Sequence, residues 1–247
     1  MSNKTVFLTG ASSGLGKGMA KEFAQRGYDL VLTARRLELL EALAEELSRD
    51  FSVKVIVKAL DVCDSSAVVD ALNDAHQQLG RLDIVIANAG IGINGRAGKS
   101  SMQNIERMID VNIKGLMATV EGALPLLRTQ GHGQIVGLSS VAGSRGLPGG
   151  GVYGATKAAV TTYLQAVQAE TQHEAIDVTI LAPGYIDTPI NQGAKSRPFV
   201  IPADLGCKKL ADAIERKKKF AFVPGWPWSI LAPVLRRLPT SIIAKMA

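Results

Sequence analysis

The sequence predicts an α/β fold, a parallel sheet with helices on both faces, on three observations. Seven short apolar runs punctuate the chain, at 6–8, 30–33, 53–59, 84–87, 135–138, 178–182 and 220–223. Most are rich in Val, Ile and Leu with little alternation, the pattern of strands buried on both faces. Longer amphipathic stretches such as 37–49 and 67–79 lie between them, and strand–helix–strand repetition argues for βαβ units. A glycine-rich segment, TGASSGLGKGMA, joins the first run to the first helix.

That segment places glycines at 10, 14 and 16. Backbone N–H groups at the start of the next helix, with the positive end of its dipole, suit a dinucleotide pyrophosphate. Glycine fits because a Cβ would hold the chain away from the phosphates. The spacing is G-x-x-x-G-x-G rather than G-x-G-x-x-G, so a tight turn without a ligand is the plain alternative. The second run ends YDLVLTARRLE, with Ala34 where an acid would bond a ribose 2′-hydroxyl, then Arg35 and Arg36. A carboxylate would repel a 2′-phosphate, whereas two guanidiniums can clamp one. The expectation is NADP(H) in preference to NAD(H); the plain alternative is that these arginines begin a solvated helix. After the third run, Asp61 and Asp64 are both placed to cap a helix.

Farther on, VYGATKAAV sets Tyr153 and Lys157 four residues apart, one turn apart on one helical face. A phenol titrates near pH 10, and a fixed cation beside it favours the phenolate. The pair is therefore able to give and take a proton near neutral pH. Taken alone, it equally describes the outer face of an amphipathic helix.

Together, TGASSGLG, NAG at 88–90, Asn112, SS at 139–140, YGATK at 153–157, and PG at 183–184 followed by Thr188 resemble the short-chain dehydrogenase/reductase family in order and spacing. The resemblance runs along the chain up to its last 23 residues, 225–247. It implies a Rossmann-type, doubly wound sheet and hydride transfer between a nicotinamide and a carbonyl or alcohol. Tyr153 would be the acid in reduction and the base in oxidation. Lys157 would lower the phenol's pKa and bond the nicotinamide ribose. Ser140, thirteen residues before Tyr153, would bond the substrate oxygen in preference to Ser139, and Asn112 would hold a water in a proton relay. Gly10, Ser12, Ser13, Gly14, Leu15 and Gly16 would surround the pyrophosphate, with Asp61 and Val62 flanking the adenine. Asn88, Ala89 and Gly90 would line the adenine ribose. Pro183, Gly184 and Thr188 complete the cofactor set, Thr188 at the carboxamide. One departure is Ala87, where the family often has a first asparagine before Asn-Ala-Gly.

Two segments break the rhythm. Residues 184–202 contain Gly and Pro with little periodicity and read as a substrate loop. Ile186, Pro189, Ile190 and Phe199 are its apolar positions, and Lys195 and Arg197 could attract an anion. Residues 225–247 form an apolar tail beyond a catalytic domain at 1–224, with both tryptophans and three prolines, so one regular helix is excluded. The tail could cap the cleft or pack on a partner subunit. It could also lie on a membrane surface, with Trp226 and Trp228 at the interface and Arg236, Arg237 and Lys245 near headgroups. Many family members end instead in a glycine-rich turn that packs a tetramer. A homodimer through the helices carrying Asn112 and Tyr153 is expected, a tetramer being possible.

Composition removes other classes. A net charge of +6 raises nucleic acid as a partner, but the basic residues are mostly dispersed, with no aromatic-interleaved patch, so none is expected. Cys63 and Cys207 make no disulfide framework and read as small buried hydrophobes. His76, His132 and His173 lack metal-ligand spacing, so no metal is expected. The first residues lack a long apolar stretch, and no run reaches the ~18 apolar residues of a membrane span. A cytoplasmic protein, or one peripheral at a membrane through its tail, is expected. The leading reading is an NADP(H)-dependent carbonyl reductase or alcohol dehydrogenase acting on an apolar substrate. The alternatives are a non-catalytic NADP(H)-binding redox sensor and a membrane-associated scaffold. The full set of Asn112, Ser140, Tyr153 and Lys157 speaks against the sensor.

Overall fold

The apolar runs become β1 (Thr5–Thr9), β2 (Asp29–Ala34), β3 (Val55–Ala59), β4 (Ile84–Ala87), β5 (Gly133–Leu138), β6 (Ile176–Pro183) and β7 (Phe220–Val223). The structure is a computed structural model that describes residues 3–192 and 196–245. The seven strands form one parallel sheet in the order β3-β2-β1-β4-β5-β6-β7. Successive strand residues point to opposite faces. Val6 and Leu8 of β1 enter one core, with α1 (Gly14–Gln25), α2 (Leu37–Phe51) and α7 (Ala203–Glu215). Phe7 enters the other, with α3 (Ser65–Leu79), α5 (Gly115–Gln130) and α6 (Gly151–Glu170). Both faces are covered, so apolar side chains are needed at consecutive positions, and alternation disappears.

The strand order reverses between β1 and β4. In such sheets a crevice opens outside the carboxyl ends at the reversal. The turns that follow the strands carry the glycine segment, Arg36, Asp61, Asn88, Ser140 and Gly184, so residues scattered through the sequence gather along that one edge. α4 (Met102–Ile109) runs through a π-helical turn, Asp110–Lys114, into α5. Asp64 caps α3 by accepting from the N–H groups of Ser66 and Ala67, while Asp61 accepts from Cys63 N. Of the two aspartates, then, only Asp64 caps the helix.

The tail forms α8 (Gly225–Arg237) and α9 (Thr240–Ala244), separated at Pro239, whose missing N–H cannot continue a helix. The two tryptophans part company. Trp226 has extended backbone (φ −85°, ψ 133°) and is exposed, whereas Trp228 is buried with Pro227 and Ala232. The expectation that both lie at an outer interface is therefore corrected for Trp228. Cys207 is buried beside Gly18, but Cys63 is exposed in the turn after β3, correcting its reading as a buried hydrophobe. Lys195 lies outside the described residues. Among the described residues no helix is long and apolar enough to cross a membrane.

Arg145, in the segment after β5, donates to the Leu238 carbonyl at 3.2 Å and the Thr240 hydroxyl at 3.3 Å. These bonds tie α9 to the body. Arg145→Ala should speed amide hydrogen exchange in α9 several-fold, consistent with a loss of about 1 kcal/mol, and leave α6 unchanged. Equal exchange in α9 of both proteins would show that this tie does not hold the tail.

Candidate active site

The glycine turn is shaped first by the protein's own packing. Gly10 has φ +69°, and a Cβ there would fall 2.8 Å from Ala89 Cα; a Cβ on Gly16 would fall 2.1 Å from the Gly10 carbonyl oxygen. Glycine is thus demanded at both positions by neighbouring backbone, before any ligand is considered. Asn88 holds the turn from the side. Its amide donates to the carbonyls of Thr9 (2.8 Å) and Gly10 (3.3 Å). The Thr9 hydroxyl in turn accepts the N–H groups of Asn88 (3.0 Å) and Ala89 (3.1 Å). Thr9 was not among the sequence candidates; its one signal is a polar residue ending an apolar strand just before Gly10.

α1 begins after Ser13, which makes no side-chain cap, and its first turn holds no acid. Its N–H groups therefore meet no carboxylate. Arg36 reaches over this turn and donates to the hydroxyls of Ser12 and Ser13, both at 3.1 Å. Arg36 precedes α2 by one residue, and Arg35 beside it is exposed. Asp61 is exposed next to Val62, whose side chain is buried against Gly115.

α6 delivers Tyr153 and Lys157. Its close approach depends on small residues: a Cβ on Gly143 would fall 2.9 Å from the Lys157 carbonyl carbon, and one on Gly154 would fall 2.8 Å from the Ala142 oxygen. Ser139 is turned inward, donating to the Lys157 carbonyl and bonding Thr161. Ser140 instead caps a short turn through Ala142 N and donates to the Pro183 carbonyl at 3.3 Å, with its hydroxyl near the Tyr153 phenol. Asn112 is fully buried. Its Oδ1 accepts from Ile91 N, and its Nδ2 donates to Ile91 O and the Thr156 hydroxyl. With the amide so engaged, a water at Asn112 would fall to its backbone.

The Lys157 ammonium lies 5.8 Å from the centre of the Tyr153 ring, donates to the Leu138 carbonyl at 2.7 Å, and is buried. Burial pulls its pKa down to about 8, which leaves it mostly charged at neutral pH. Burial pushes the Tyr153 phenol up, and the nearby Ser140 hydroxyl opposes this. The ring is only half-buried, so the upward push is weaker than full burial would give. The expected lowering by Lys157 is not the dominant effect among the protein's own groups. A phenol held above its usual range is protonated at neutral pH, the state a proton donor needs.

The segment after β6 is pinned by a bridge between Ile186 and Ile201, with Asp187 N donating to Ile201 O and Ile201 N to Tyr185 O. Thr188 packs over Gly14, and Ile190 approaches Tyr153 across Gly92. Arg197 pairs with Asp187 at 2.5 Å, so its charge is answered within the loop. Trp228 closes the far side. A Cβ on Gly184 would fall 2.2 Å from its Nε1, and Tyr185 and Phe199 pack on its ring at 6.3 and 5.9 Å. That the tail could cap the cleft was one of the expectations; that Trp228 meets Gly184 was not foreseen, and the glycine after Pro183 is its sole trace in the sequence.

Comparison with known proteins agrees with this layout. The short chain dehydrogenase family model matches residues 4–198. An uncharacterized oxidoreductase of Mycobacterium tuberculosis is 36% identical over 249 residues, covering 100% of this chain and 98% of the relative. A short-chain dehydrogenase from Sphingobium yanoikuyae in complex with NADPH has a TM-score of 0.84 at 29% identity, covering 99% of this chain and 96% of that one. A short chain dehydrogenase/reductase from Burkholderia phymatum in complex with NAD has a TM-score of 0.83 at 26% identity, covering 99% and 95%.

The buried lysine has a measurable consequence. Between about 8 and the model-compound value of 10.5, folded Lys157 binds fewer protons than unfolded Lys157. Stability should therefore rise with pH across that window, by up to ~1.4 kcal/mol per unit. Below the window the penalty for burying the charge is fully present; above it the penalty is gone. Urea melts of the wild type and Lys157→Met, subtracted at each pH, should show this slope, and parallel stability profiles would refute it.

Proposed function

The chain belongs to the short-chain dehydrogenase/reductase family of oxidoreductases, and on that premise we propose that it interconverts a carbonyl and an alcohol on an apolar substrate with NADP(H). The observation that carries this reading is the meeting, at one edge of the sheet, of a half-buried phenol, the Ser140 hydroxyl near it and a buried ammonium 5.8 Å from the ring centre. Beside them lies a helix start with neither a side-chain cap nor an acid. These groups fit a nicotinamide dinucleotide: the free first turn of α1 suits its pyrophosphate, and the exposed Asp61 oxygen suits a base edge. When bound, the coenzyme would supply or accept the hydride.

The chain's own residues do the rest. Ser140 and Tyr153 present O–H donors to the substrate oxygen, stabilising the negative charge that grows there during reduction. The Tyr153 proton passes to that oxygen. Lys157 places a cation beside the phenolate that remains, and Asn112 would hold a water that resupplies protons. Arg36, already over the glycine turn, would hold a 2′-phosphate, with Arg35 next to it. Tyr185, Phe199, Trp228 and Ile190 would enclose an apolar substrate body. For assembly, a homodimer would pair α5, which follows Asn112, and α6, which carries Tyr153, with the same helices of a second copy.

Tyr153→Phe should lower turnover of ketones or aldehydes by at least ~10²-fold while NADPH binding, read by fluorescence titration, is kept. Retained turnover would refute the acid role. Tight NADPH binding by the wild type, without turnover across a broad carbonyl panel, would favour the sensor instead.

Arg35→Ala combined with Arg36→Ala should weaken NADPH roughly 10- to 100-fold and NADH little. Equal weakening of both coenzymes would sink the phosphate clamp.

A further inference from the structure

We propose that the outward face of α8, together with the exposed ring of Phe199, docks on an anionic lipid bilayer. The first ground is where the charge lies. Residues 216–247 hold seven of the chain's 28 basic residues and none of its 22 acidic ones. The preceding 215 residues hold 21 basic and 22 acidic side chains. Four of the seven, Arg216 to Lys219, precede β7, at the other end of that strand from α8, and Lys217 there pairs with Asp177 at 2.7 Å; Arg236, Arg237 and Lys245 are the cations of the tail itself, which holds no acid.

The second ground is an unpartnered apolar strip in the same segment. α8 buries Pro227, Trp228 and Ala232 on its inner side but leaves Trp226 75%, Ile230 54% and Val234 48% exposed. Ile230, Val234 and Arg237 stand at i, i+4 and i+7 and share one helical face. Arg236 and Lys245 are exposed along the same tail. The apolar surface continues past the helix: Phe199 is 53% exposed, and its ring meets the Trp228 ring edge-on at 5.9 Å.

An apolar strip flanked by cations, with no carboxylate in its segment, complements the boundary between anionic headgroups and acyl chains. A tryptophan at the edge of such a strip suits that boundary. A second copy of the chain fits this face poorly. Two-fold pairing would set the same patch against itself, arginines facing arginines with no acid in the segment to answer them. With α8 on the bilayer, the loop beside Tyr153 would lie at the lipid surface, and an apolar substrate could pass from membrane to cleft. That consequence rests on the proposed oxidoreductase reading; the docking does not.

The test is flotation of the full chain with vesicles of phosphatidylglycerol and phosphatidylcholine, or of phosphatidylcholine alone, at low and high salt. The wild type should float with the anionic vesicles at low salt and stay behind with the neutral ones. A cation near such a surface contributes roughly five-fold in partitioning, so Arg236→Gln with Arg237→Gln should weaken binding about 25-fold. Trp226→Ser with Ile230→Ser should abolish flotation. Both double variants should melt with the wild type, since the altered side chains project outward. Brominated acyl chains should quench tryptophan emission of the wild type and spare that of Trp226→Phe. Wild-type protein left soluble with both kinds of vesicle would overturn the proposal. So would a fall in particle mass, by light scattering, on Trp226→Ser with Ile230→Ser in the absence of lipid, which would assign the face to another copy of the chain. Docking without carbonyl turnover would remove the enzymatic reading alone, and turnover without docking would remove this one alone.

Discussion

A buried ammonium is costly unless its donors are answered. Lys157 meets this with a single acceptor among the described residues, the Leu138 carbonyl at the end of β5. Much of the neighbourhood follows from keeping that arrangement. α6 must lie almost against the segment after β5, which only the small residues at 143 and 154 permit. Ser139 then bonds the lysine's own carbonyl, and Thr156 connects the next turn of α6 to Asn112. The amide of Asn112 closes on the backbone of Ile91, so the segment after β4 is held by the same set. A phenol, a serine hydroxyl and a cation are thereby kept together by bonds that belong to the scaffold.

The sheet supplies the other half of the constraint. Because the strands are parallel, their carboxyl ends share one edge, and the reversal between β1 and β4 leaves that edge open. Thr9 and Asn88 close the gap between these two strands, and Gly10 and Gly16 are left no room for a side chain. Preorganisation of this kind means that a ligand meets a turn already formed, and the ordering cost falls on folding rather than on binding.

The tail joins two properties usually kept apart. Its inner face completes the wall beside Gly184, and its outer face carries apolar side chains among the residues that make the chain basic. Evenly spread charge would have made +6 an ordinary number. In the tail itself, Arg236, Arg237 and Lys245 stand without a single acidic residue.

The sequence by itself determined the sheet and most of the chemistry-bearing positions. Strands covered on both faces lose alternation, so their apolar runs are plain to read, and the Tyr153–Lys157 spacing is a local helical property. Tertiary structure decided what depends on distant segments meeting. Trp228 reaches Gly184 across 44 positions, and no local periodicity sends it inward while leaving Trp226 outside, because the chain enters helical geometry only after Trp226. Likewise the glycines at 10 and 16 can be foreseen as a turn, but Ala89 and the Gly10 carbonyl, which forbid a side chain there, arrive through pairing of β1 with β4. The direction of the Tyr153 shift followed the same rule: spacing showed a cation nearby, and only the packed environment showed that burial outweighs it.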